Sequence, residues 1–542
     1  MSFSSREEQN SLWRQLSLLA CQLPEAGSCE DWLWRCLKEN QATDYGHQCQ
    51  FERIQSVDDY REFVPLCGYG DAHHSIERIA QGEPDILFKG RAVAFEITGG
   101  SGGGPKLIPY SSRSLEDFRL ALLPWLGRVA QKLSDTAKAY WAISPAMRMQ
   151  QFTTGGIPLG LSDGAYLGKD VLPLLAELSA VPSDVAQLTE YHQWQRLSLY
   201  YLLRSYDLQF ISIWSPTFFI TLLDGLLQQQ DSLLALLRFG CHEPGMKVEA
   251  DAQALQRFKA FLLDADCERL WPQLSLVSCW THASSETYYH QLQQRLPYTQ
   301  FEAKGLLSTE GVVTVPDTAG LCRLARGCGF YEFLHDGDIY LPRELQPGSS
   351  YEVIMTTSGG LYRYRTGDRV VCESVQSDDP VLRFEGRMGR VSDLVGEKLT
   401  ESFVSHCIEG VSGFRMLVPS KESKPGYILL VDSGGQVSPS QCVQQVERQL
   451  KRNPQYAYAL QIGQLRPLRL GVMEKALSRY LFCASKTQRL GDIKVPALLL
   501  DTDRLSLFTQ EITEWDMEKG NTERKERVDN MASGKPRRER NQ

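Results

Sequence analysis

The sequence has little of what marks several large classes of protein. Its 14 cysteines are scattered over 542 residues, and no Cys-x-x-Cys pair occurs. This spacing argues against a zinc-finger pattern and a disulfide-rich secreted scaffold, so we expect reduced cysteines in the core. The formal net charge of −8 lacks the basic excess typical of nucleic-acid binding proteins, so no nucleic-acid partner is expected.

Long uninterrupted hydrophobic runs are also missing. The most apolar segment, Phe210–Leu227, contains Ser215, Pro216 and Asp224, whereas a membrane-spanning helix needs about twenty mostly apolar residues. The apolar stretch Leu16–Leu23 is short, and no clear cleavage site of a signal peptide follows it. We therefore predict a cytoplasmic protein with no membrane partner.

The residues that are present predict a large α/β protein. Apolar residues make up 42% and charged residues 23%, a balance typical of soluble globular proteins, and the length suggests about two to four domains or subdomains. Ala92–Ile97 and Gln209–Trp214 have the character of buried strands, and helical segments alternate with them. Ser28 and Asp31 predict a capping box for a helix over Glu30–Asn40, and Ser215 followed by Pro216 predicts another helix start. From Phe330 to Val371 the pattern changes to β-strands separated by turns.

The chain also changes character toward its C-terminus. Residues 386–401 are rich in glycine and charge and predict a hinge. We place an N-terminal domain at residues 1–390 and a C-terminal domain at residues 391–515. Residues 516–542 carry many charges of both signs and few apolar groups, which predicts a disordered tail.

A glycine-rich loop directly after the first predicted strand is the first candidate site. Its hydroxyl and glycine residues suit the wrapping of backbone N–H groups around a phosphate, and its lysine adds positive charge. The alternative is a flexible surface loop. The loop is not a Walker loop, since Pro105 precedes the lysine and Leu107 follows it. The residues concerned are Thr98, Gly100, Ser101, Gly103 and Lys106.

Four further segments carry polar groups suited to a nucleotide. Ser308, Thr309 and Glu310 form a short polar motif, in which the carboxylate suits Mg²⁺ and the threonine suits a phosphate oxygen. Asp368 follows a glycine at the predicted end of a strand, where a carboxylate can accept hydrogen bonds from a ribose. The remaining two segments contain Lys398 and Lys494. Taken singly, each is equally consistent with a helix cap, a surface turn or a solvated charge.

Taken in order, these motifs resemble the Gretchen-Hagen-three family of acyl acid-amido synthetases. The similarity runs from about Trp34 to Leu500 and includes the segments GLLSTEGVVTVP and SDLVGEKLTESFV. The family is a branch of the superfamily of acyl-CoA synthetases, nonribosomal adenylation domains and luciferases. The resemblance implies an adenylate-forming α/β fold. Its large N-terminal domain includes a β-rich subdomain, and its C-terminal α+β domain is small and mobile.

The resemblance also implies a reaction and a set of roles. A small carboxylic acid would react with ATP to give acyl-AMP, and an amine, usually that of an amino acid, would then displace AMP. Phosphate would be held by Thr98, Gly100, Ser101 and Gly103. Thr309 and Glu310 would hold the α-phosphate and Mg²⁺, with Glu310 as the metal ligand, and Ser308 would bind ATP. Asp368 would bind the ribose, Lys398 would contact the nucleotide near the hinge, and Lys494 would neutralise charge on the transferring phosphorus.

The phosphate loop departs from the family pattern, because Gly99 and Gly102 replace two hydroxyl residues. The loop keeps its backbone donors and loses two side-chain donors. Two alternatives to amide formation therefore stay open. One is thioester formation with coenzyme A, and the other is a relative that binds a small acid or its adenylate without turnover.

Overall fold

Helices and strands alternate along most of the chain in a computed structural model, as the sequence predicts. The structure describes residues 11–25, 27–98, 106–142, 151–161, 163–243, 246–420, 425–432, 439–486, 488, 490–500 and 513–515. The chain divides into two compact units. The larger unit comprises Met1–Met388 and Ser485–Lys494, and the smaller comprises Gly389–Ala484 and Val495–Gln542.

The α-helices lie in both units. In chain order they are α1 (Leu12–Cys21), α2 (Cys29–Asn40), α3 (Asp44–Gln48), α4 (Val57–Phe63), α5 (Tyr69–Ala80), α6 (Ser112–Ala130), α7 (Leu172–Leu178), α8 (Tyr191–Arg204), α9 (Pro216–Gln228), α10 (Gln230–Phe239), α11 (Ala252–Asp264), α12 (Glu286–Arg295), α13 (Glu401–Ile408), α14 (Pro439–Leu450), α15 (Pro454–Gln461) and α16 (Ala476–Ser485).

The strands form several separate sheets. In chain order they are β1 (Ala94–Thr98), β2 (Lys106–Tyr110), β3 (Lys138–Trp141), β4 (Gln151–Phe152), β5 (Pro158–Leu159), β6 (Leu208–Ser212), β7 (Cys241–Glu243), β8 (Met246–Val248), β9 (Leu276–Cys279), β10 (Gln300–Ala303), β11 (Thr314–Pro316), β12 (Cys322–Leu324), β13 (Phe330–His335), β14 (Asp338–Tyr340), β15 (Ser350–Thr356), β16 (Tyr364–Gln376), β17 (Asp379–Arg387), β18 (Val391–Ser392), β19 (Leu399–Thr400), β20 (Arg415–Ser420), β21 (Gly426–Asp432), β22 (Arg469–Met473) and β23 (Thr513–Trp515).

Local sequence signals explain where several helices begin. At the start of α2, Ser28 accepts a hydrogen bond from the Asp31 backbone, and the Asp31 carboxylate accepts one from the Ser28 backbone. This reciprocal pair satisfies two N–H groups that a helix start otherwise leaves without partners, and it confirms the predicted capping box. Ser215 precedes Pro216 at the start of α9 as predicted, but its hydroxyl bonds the Thr217 hydroxyl at 2.6 Å and not the helix backbone.

A four-stranded sheet in the larger unit is parallel throughout, with strand order β10-β9-β6-β3. All four residues of β9 are buried, which is typical of a parallel sheet covered on both faces. Since ligands bind beyond the carboxyl ends of such strands, the residues that follow them mark a place for a site. Trp214 follows β6, and Trp280 follows β9.

Two further sheets of the larger unit carry the predicted nucleotide motifs. Strands β1 and β2 form an antiparallel hairpin in which Thr98 pairs with Lys106, so the glycine-rich loop connects two strands of one sheet. A seven-stranded antiparallel sheet has the order β11-β12-β17-β16-β15-β13-β14. Its long strands β16 and β17 pair Asp368 with Arg387 at one end. This sheet confirms the predicted β-rich region.

The smaller unit is an α+β structure with its own core. Strands β20, β21, β22 and β23 lie in that order, and β21 and β22 are parallel. Helices α13 and α14 contribute Val404, Cys407, Val443 and Val446 to a buried cluster with strand residues. The unit begins at Gly389, two residues before the boundary predicted from the sequence. The tail predicted from Asp516 lies outside the described residues.

The cysteines and the hydropathy of the helices are two further features of the fold on which the sequence makes predictions. All 14 cysteines are free of disulfide bonds, and most are buried, as expected for reduced core residues. Within the described ranges, no helix is both long and apolar enough to cross a membrane.

Candidate nucleotide and acid site

The motif that contains Glu310 forms a tight turn between β10 and β11. The Ser308 N–H donates to the Gly311 carbonyl at 3.0 Å, and the Gly311 N–H donates to the Ser308 carbonyl at 3.2 Å. Gly305 enters this turn at a φ of +81°, and a β-carbon there would lie 2.2 Å from the Thr314 carbonyl oxygen. The sequence therefore needs glycine at this position to bring the polar motif close to β11.

Glu310 is a buried carboxylate with one oxygen left over. Its side chain is 7% exposed, and its Oε2 accepts a hydrogen bond from the Thr309 hydroxyl at 3.0 Å. Its Oε1 has no hydrogen-bond partner among the residues that the structure describes. A buried carboxylate oxygen without a partner is costly in free energy, so the geometry favours a cation or donor supplied by a ligand.

Asp368 lies where β16 passes a bulge. Gly367 has a φ of +75°, and the Asp368 N–H donates to the Thr366 hydroxyl at 3.0 Å. Burial raises the pKa of the Asp368 carboxyl, and the cations of Arg387 and Lys494 oppose that rise. The Arg387 Nε lies 3.7 Å from the Asp368 Oδ1, beyond hydrogen-bond distance. A diol can therefore approach a carboxylate whose charge is partly balanced.

Lys106 joins the same cluster from the start of β2. Its ammonium donates to the Tyr364 hydroxyl at 3.4 Å and lies 5.3 Å from the centre of the Tyr69 ring. Burial lowers the pKa of Lys106, as does the nearby Arg387, whereas Glu310 and Asp368 raise it. These mutual effects show that the three motifs share one electrostatic environment.

Lys494 also contributes its charge to this cluster. Its ammonium lies 4.4 Å from the centre of the Trp280 ring and 5.4 Å from the centre of the Phe384 ring. The domain boundary predicted from the sequence puts Lys494 in the C-terminal domain, whereas Ser485–Lys494 groups with the larger unit. The difference arises because the segment packs on elements of that unit, including a backbone hydrogen bond from Ser215 to Gly491 at 3.4 Å.

The larger unit thus brings two carboxylates and three cationic side chains into one region. These are Glu310, Asp368, Lys106, Arg387 and Lys494. Within the described part of the chain, no group of three or more His, Cys, Asp or Glu residues is arranged to hold a metal ion.

Other predicted residues are not brought into this cluster by the described structure. Gly100, Ser101 and Gly103 lie outside the described residues, although Thr98 and Lys106 fix the two ends of their loop. Lys398 belongs to the smaller unit, where its side chain is exposed and its backbone has a φ of +46°. The roles assigned to these residues stay predictions.

Two aromatic residues in the cluster are absent from the sequence-based predictions. Trp280 follows β9 and Phe384 lies in β17, and both contact the Lys494 ammonium. The position of Trp280 at the carboxyl end of a buried parallel strand is the one signal that points to it in advance. By contrast, Phe218 and Phe219 are 1% and 0% exposed and pack against Trp194 and Trp271, as core residues do.

Comparison with solved structures defines the class. The GH3.15 acyl acid amido synthetase matches with a TM-score of 0.75 at 17% identity, covering 94% of this chain and 95% of that one. A 2-hydroxyisobutyryl-CoA ligase in its postadenylation state matches with a TM-score of 0.51 at 10% identity, covering 94% and 92%. The fold is therefore that of the adenylate-forming ligases, and the predicted fold class is confirmed.

Sequence comparison then identifies the family. The model of the GH3 family N-terminal domain matches residues 26–301, and that of the GH3 family central domain matches residues 322–387. The indole-3-acetic acid-amido synthetase GH3.15 of Arabidopsis thaliana is 23% identical, covering 70% of this chain and 70% of that protein. The jasmonoyl–L-amino acid synthetase GH3.5 of Oryza sativa subsp. japonica is 22% identical, covering 71% and 74%. The chain belongs to the GH3 family, and it is a ligase of the acyl acid amido synthetase type.

Proposed function

We propose that the protein uses ATP and Mg²⁺ to activate a small carboxylic acid and then joins it to the amine of an amino acid. The observation that carries this proposal is the buried Glu310 carboxylate, whose Oε1 has no partner among the described residues. It shares its electrostatic environment with Asp368 and three cationic side chains. One relative is named an indole-3-acetic acid-amido synthetase and another a jasmonoyl–L-amino acid synthetase, and these names support the choice of substrates.

In the first half-reaction, a carboxylate oxygen of the acid attacks the α-phosphorus of ATP. The bond between that phosphorus and the bridging oxygen breaks, and pyrophosphate leaves with the electron pair. Lys494 would oppose the negative charge that develops on the phosphorus, a role that needs a cation aimed at one place. Its ammonium is held near Asp368 by contacts within the larger unit, which supports this role.

The remaining residues would bind the nucleotide. Glu310 would hold Mg²⁺, which when bound would neutralise negative charge on the phosphates. Asp368 would accept hydrogen bonds from the ribose, and Lys106 would attract phosphate. Backbone donors of the glycine-rich loop would cradle phosphate at Thr98, Gly100, Ser101 and Gly103, with Ser308 and Thr309 facing the α-phosphate.

In the second half-reaction, the amine nitrogen attacks the acyl carbon of acyl-AMP. The carbon–oxygen bond to AMP breaks, the amine loses a proton, and an amide and AMP are released. We propose that the smaller unit moves between the two half-reactions and that Lys398 contacts the nucleotide near the hinge. The grouping of Gly389–Ala484 and Val495–Gln542 into a compact unit with its own core supports such a motion.

A screen for acid-dependent exchange between ATP and labelled pyrophosphate tests the proposal. Indole-3-acetic acid, jasmonic acid and 2,4-DB, the acid bound in a solved GH3.15 structure, are the first acids to include. We expect exchange with at least one acid, dependent on Mg²⁺, and an amide mass once amino acids are added. A thioester formed only with coenzyme A, or tight acid binding without exchange, would contradict it.

A further inference from the structure

Lys494 and the residues just before it contact three separate elements of the larger unit. The ring of Trp280, after β9, is centred 4.4 Å from the Lys494 ammonium, and the ring of Phe384, in β17, is centred 5.4 Å away. The Gly491 carbonyl accepts a backbone hydrogen bond from Ser215 at the start of α9. The lysine side chain is exposed, whereas the neighbouring Ile493 is fully buried. The segment is thus anchored while the cation stays accessible.

Trp280 also contacts Trp214, through its backbone and through its ring. Its backbone N–H donates to the Trp214 carbonyl at 2.8 Å, and the two indole rings lie 5.9 Å apart between centres. An aromatic face attracts an ammonium group through its electron density, and tryptophan does so best. The ring therefore restricts a long, flexible lysine side chain at the edge of the parallel sheet without neutralising its charge.

We propose that Trp280 is a positioning residue that holds the Lys494 ammonium for the adenylation half-reaction, with Phe384 as a second and weaker contact. The inference rests on the role proposed above for Lys494. The two aromatic faces restrict where the ammonium can lie, and their attraction does not remove its positive charge. The aromatic contacts with Lys494 affect only the adenylation half-reaction, because the attack of the amine on acyl-AMP develops no new charge on phosphorus.

Comparison of the two half-reactions in Trp280→Leu protein tests this inference. With the acid selected by the exchange screen, we expect single-turnover formation of acyl-AMP to slow by roughly three- to tenfold, the size of a lost cation–π contact. The KM for ATP and the rate of aminolysis of supplied acyl-AMP should stay within about twofold, because no other step uses the contact. Trp280→Phe keeps an aromatic face and should recover most of the rate, and Phe384→Leu should cost less than Trp280→Leu.

A double-mutant cycle separates positioning from a general structural effect. In a Lys494→Ala background, Trp280→Leu should cause no further loss of adenylation, since the group that it positions is gone. Lys486→Ala, an exposed lysine of the same segment, is the matched control and should retain normal rates. Thermal unfolding of each variant checks that it is folded, and Phe384→Leu, which removes the second contact, replaces Trp280→Leu in the cycle if the latter unfolds.

Two results would overturn the inference in distinguishable ways. Equal slowing of both half-reactions by Trp280→Leu, or additive losses in the double variant, would make Trp280 an ordinary structural residue while leaving the role of Lys494 intact. Normal adenylation by Lys494→Ala protein would remove the proposed role of the lysine itself, and the positioning role of Trp280 with it.

Discussion

Two buried glutamates, one in each unit, show how differently a carboxylate can be used. Glu397 in the smaller unit is fully buried, and its oxygens accept hydrogen bonds from the backbone N–H groups of Leu394 and Val395, each at 2.8 Å, and from the Tyr427 hydroxyl. Glu310 in the larger unit is 7% exposed, and one of its oxygens has no partner among the described residues.

Hydrogen bonding, and not burial, separates a structural carboxylate from one that is open to a ligand. Each Glu397 oxygen accepts a hydrogen bond from the backbone of its own turn, so neither needs a ligand to satisfy it. Glu310 keeps an oxygen that only a cation or donor from outside the turn can satisfy. The following predictions test this contrast.

The largest effect is expected for Glu310→Gln. The substitution keeps the shape of the side chain and removes the charge that would hold Mg²⁺, so we expect acid-dependent pyrophosphate exchange to fall by about a hundredfold or more. Exchange measured across a series of Mg²⁺ concentrations checks this. Near-normal exchange at the Mg²⁺ concentration optimal for wild type would rule out Glu310 as the metal ligand.

Asp117 is a third buried carboxylate, and the dependence of stability on pH tests how its burial and its hydrogen bonds compete. Its carboxylate accepts hydrogen bonds from the Ser358 hydroxyl at 2.5 Å and the Trp32 indole at 3.2 Å, yet burial raises its pKa from 3.8 to about 6. Because the folded pKa lies above the unfolded one, the protonated form stabilises the fold below about pH 4, and this contribution is lost as the pH rises toward 6. The total loss is about 3 kcal/mol.

Urea unfolding at a series of pH values, compared with Asp117→Asn, measures that loss. The stability of wild type relative to the variant should decrease between about pH 4 and pH 6, because asparagine does not titrate. A stability difference that stays constant across this range would show that Asp117 keeps an ordinary pKa.

Glu397→Gln should have a smaller effect, and on stability only. An amide can replace one of the two acceptor oxygens, so we expect a loss of about 2 kcal/mol in the stability of the smaller unit. Urea unfolding measures the loss, and pyrophosphate exchange per folded molecule should stay close to wild type at low urea. A large loss of exchange without destabilisation would give Glu397 a direct part in the reaction.

The smallest effect is expected for Lys398→Gly. Lys398 has a φ of +46°, a conformation that glycine adopts without the clash of a β-carbon, so the substitution should stabilise the smaller unit by up to about 1 kcal/mol. Pyrophosphate exchange should nevertheless fall if the side chain contacts the nucleotide. Lys398→Asn also tolerates this backbone conformation, and it controls for the added backbone flexibility of glycine. Full exchange by a stable variant would show that the Lys398 side chain does not contact the nucleotide.

Local signals in the sequence predict much of the fold. The Ser28 capping box and the Ser215-Pro216 helix start depend on residues close together in the chain, and both helices begin where predicted. The buried strands predicted at Ala92–Ile97 and Gln209–Trp214 correspond to β1 and to β6 of the parallel sheet for the same reason, whereas β9 and β10 are not predicted. The motif order that resembles the family also points to Glu310, Asp368 and Lys494, and the charges of Glu310 and Lys494 act on the Asp368 carboxyl in the structure, while their roles stay predictions.

Contacts between residues that are distant in the sequence are not predicted. The approach of Lys494 to Trp280 and Phe384 depends on how three elements pack, and no local pattern in the sequence encodes it. The grouping of Ser485–Lys494 with the larger unit escapes prediction for the same reason. The open oxygen of Glu310 is likewise a result of packing, since its sequence context equally suits a helix cap.

The most direct test of the contrast is the urea-unfolding midpoint of ligand-free Glu310→Gln protein. If Glu310 binds a ligand and does not stabilise the fold, the substitution removes the charge of a buried carboxylate with an unsatisfied oxygen. The midpoint should then equal or exceed that of wild type. A loss of more than about 1 kcal/mol, comparable to that expected for Glu397→Gln, would contradict the account, because Glu310 would then be a structural carboxylate like Glu397.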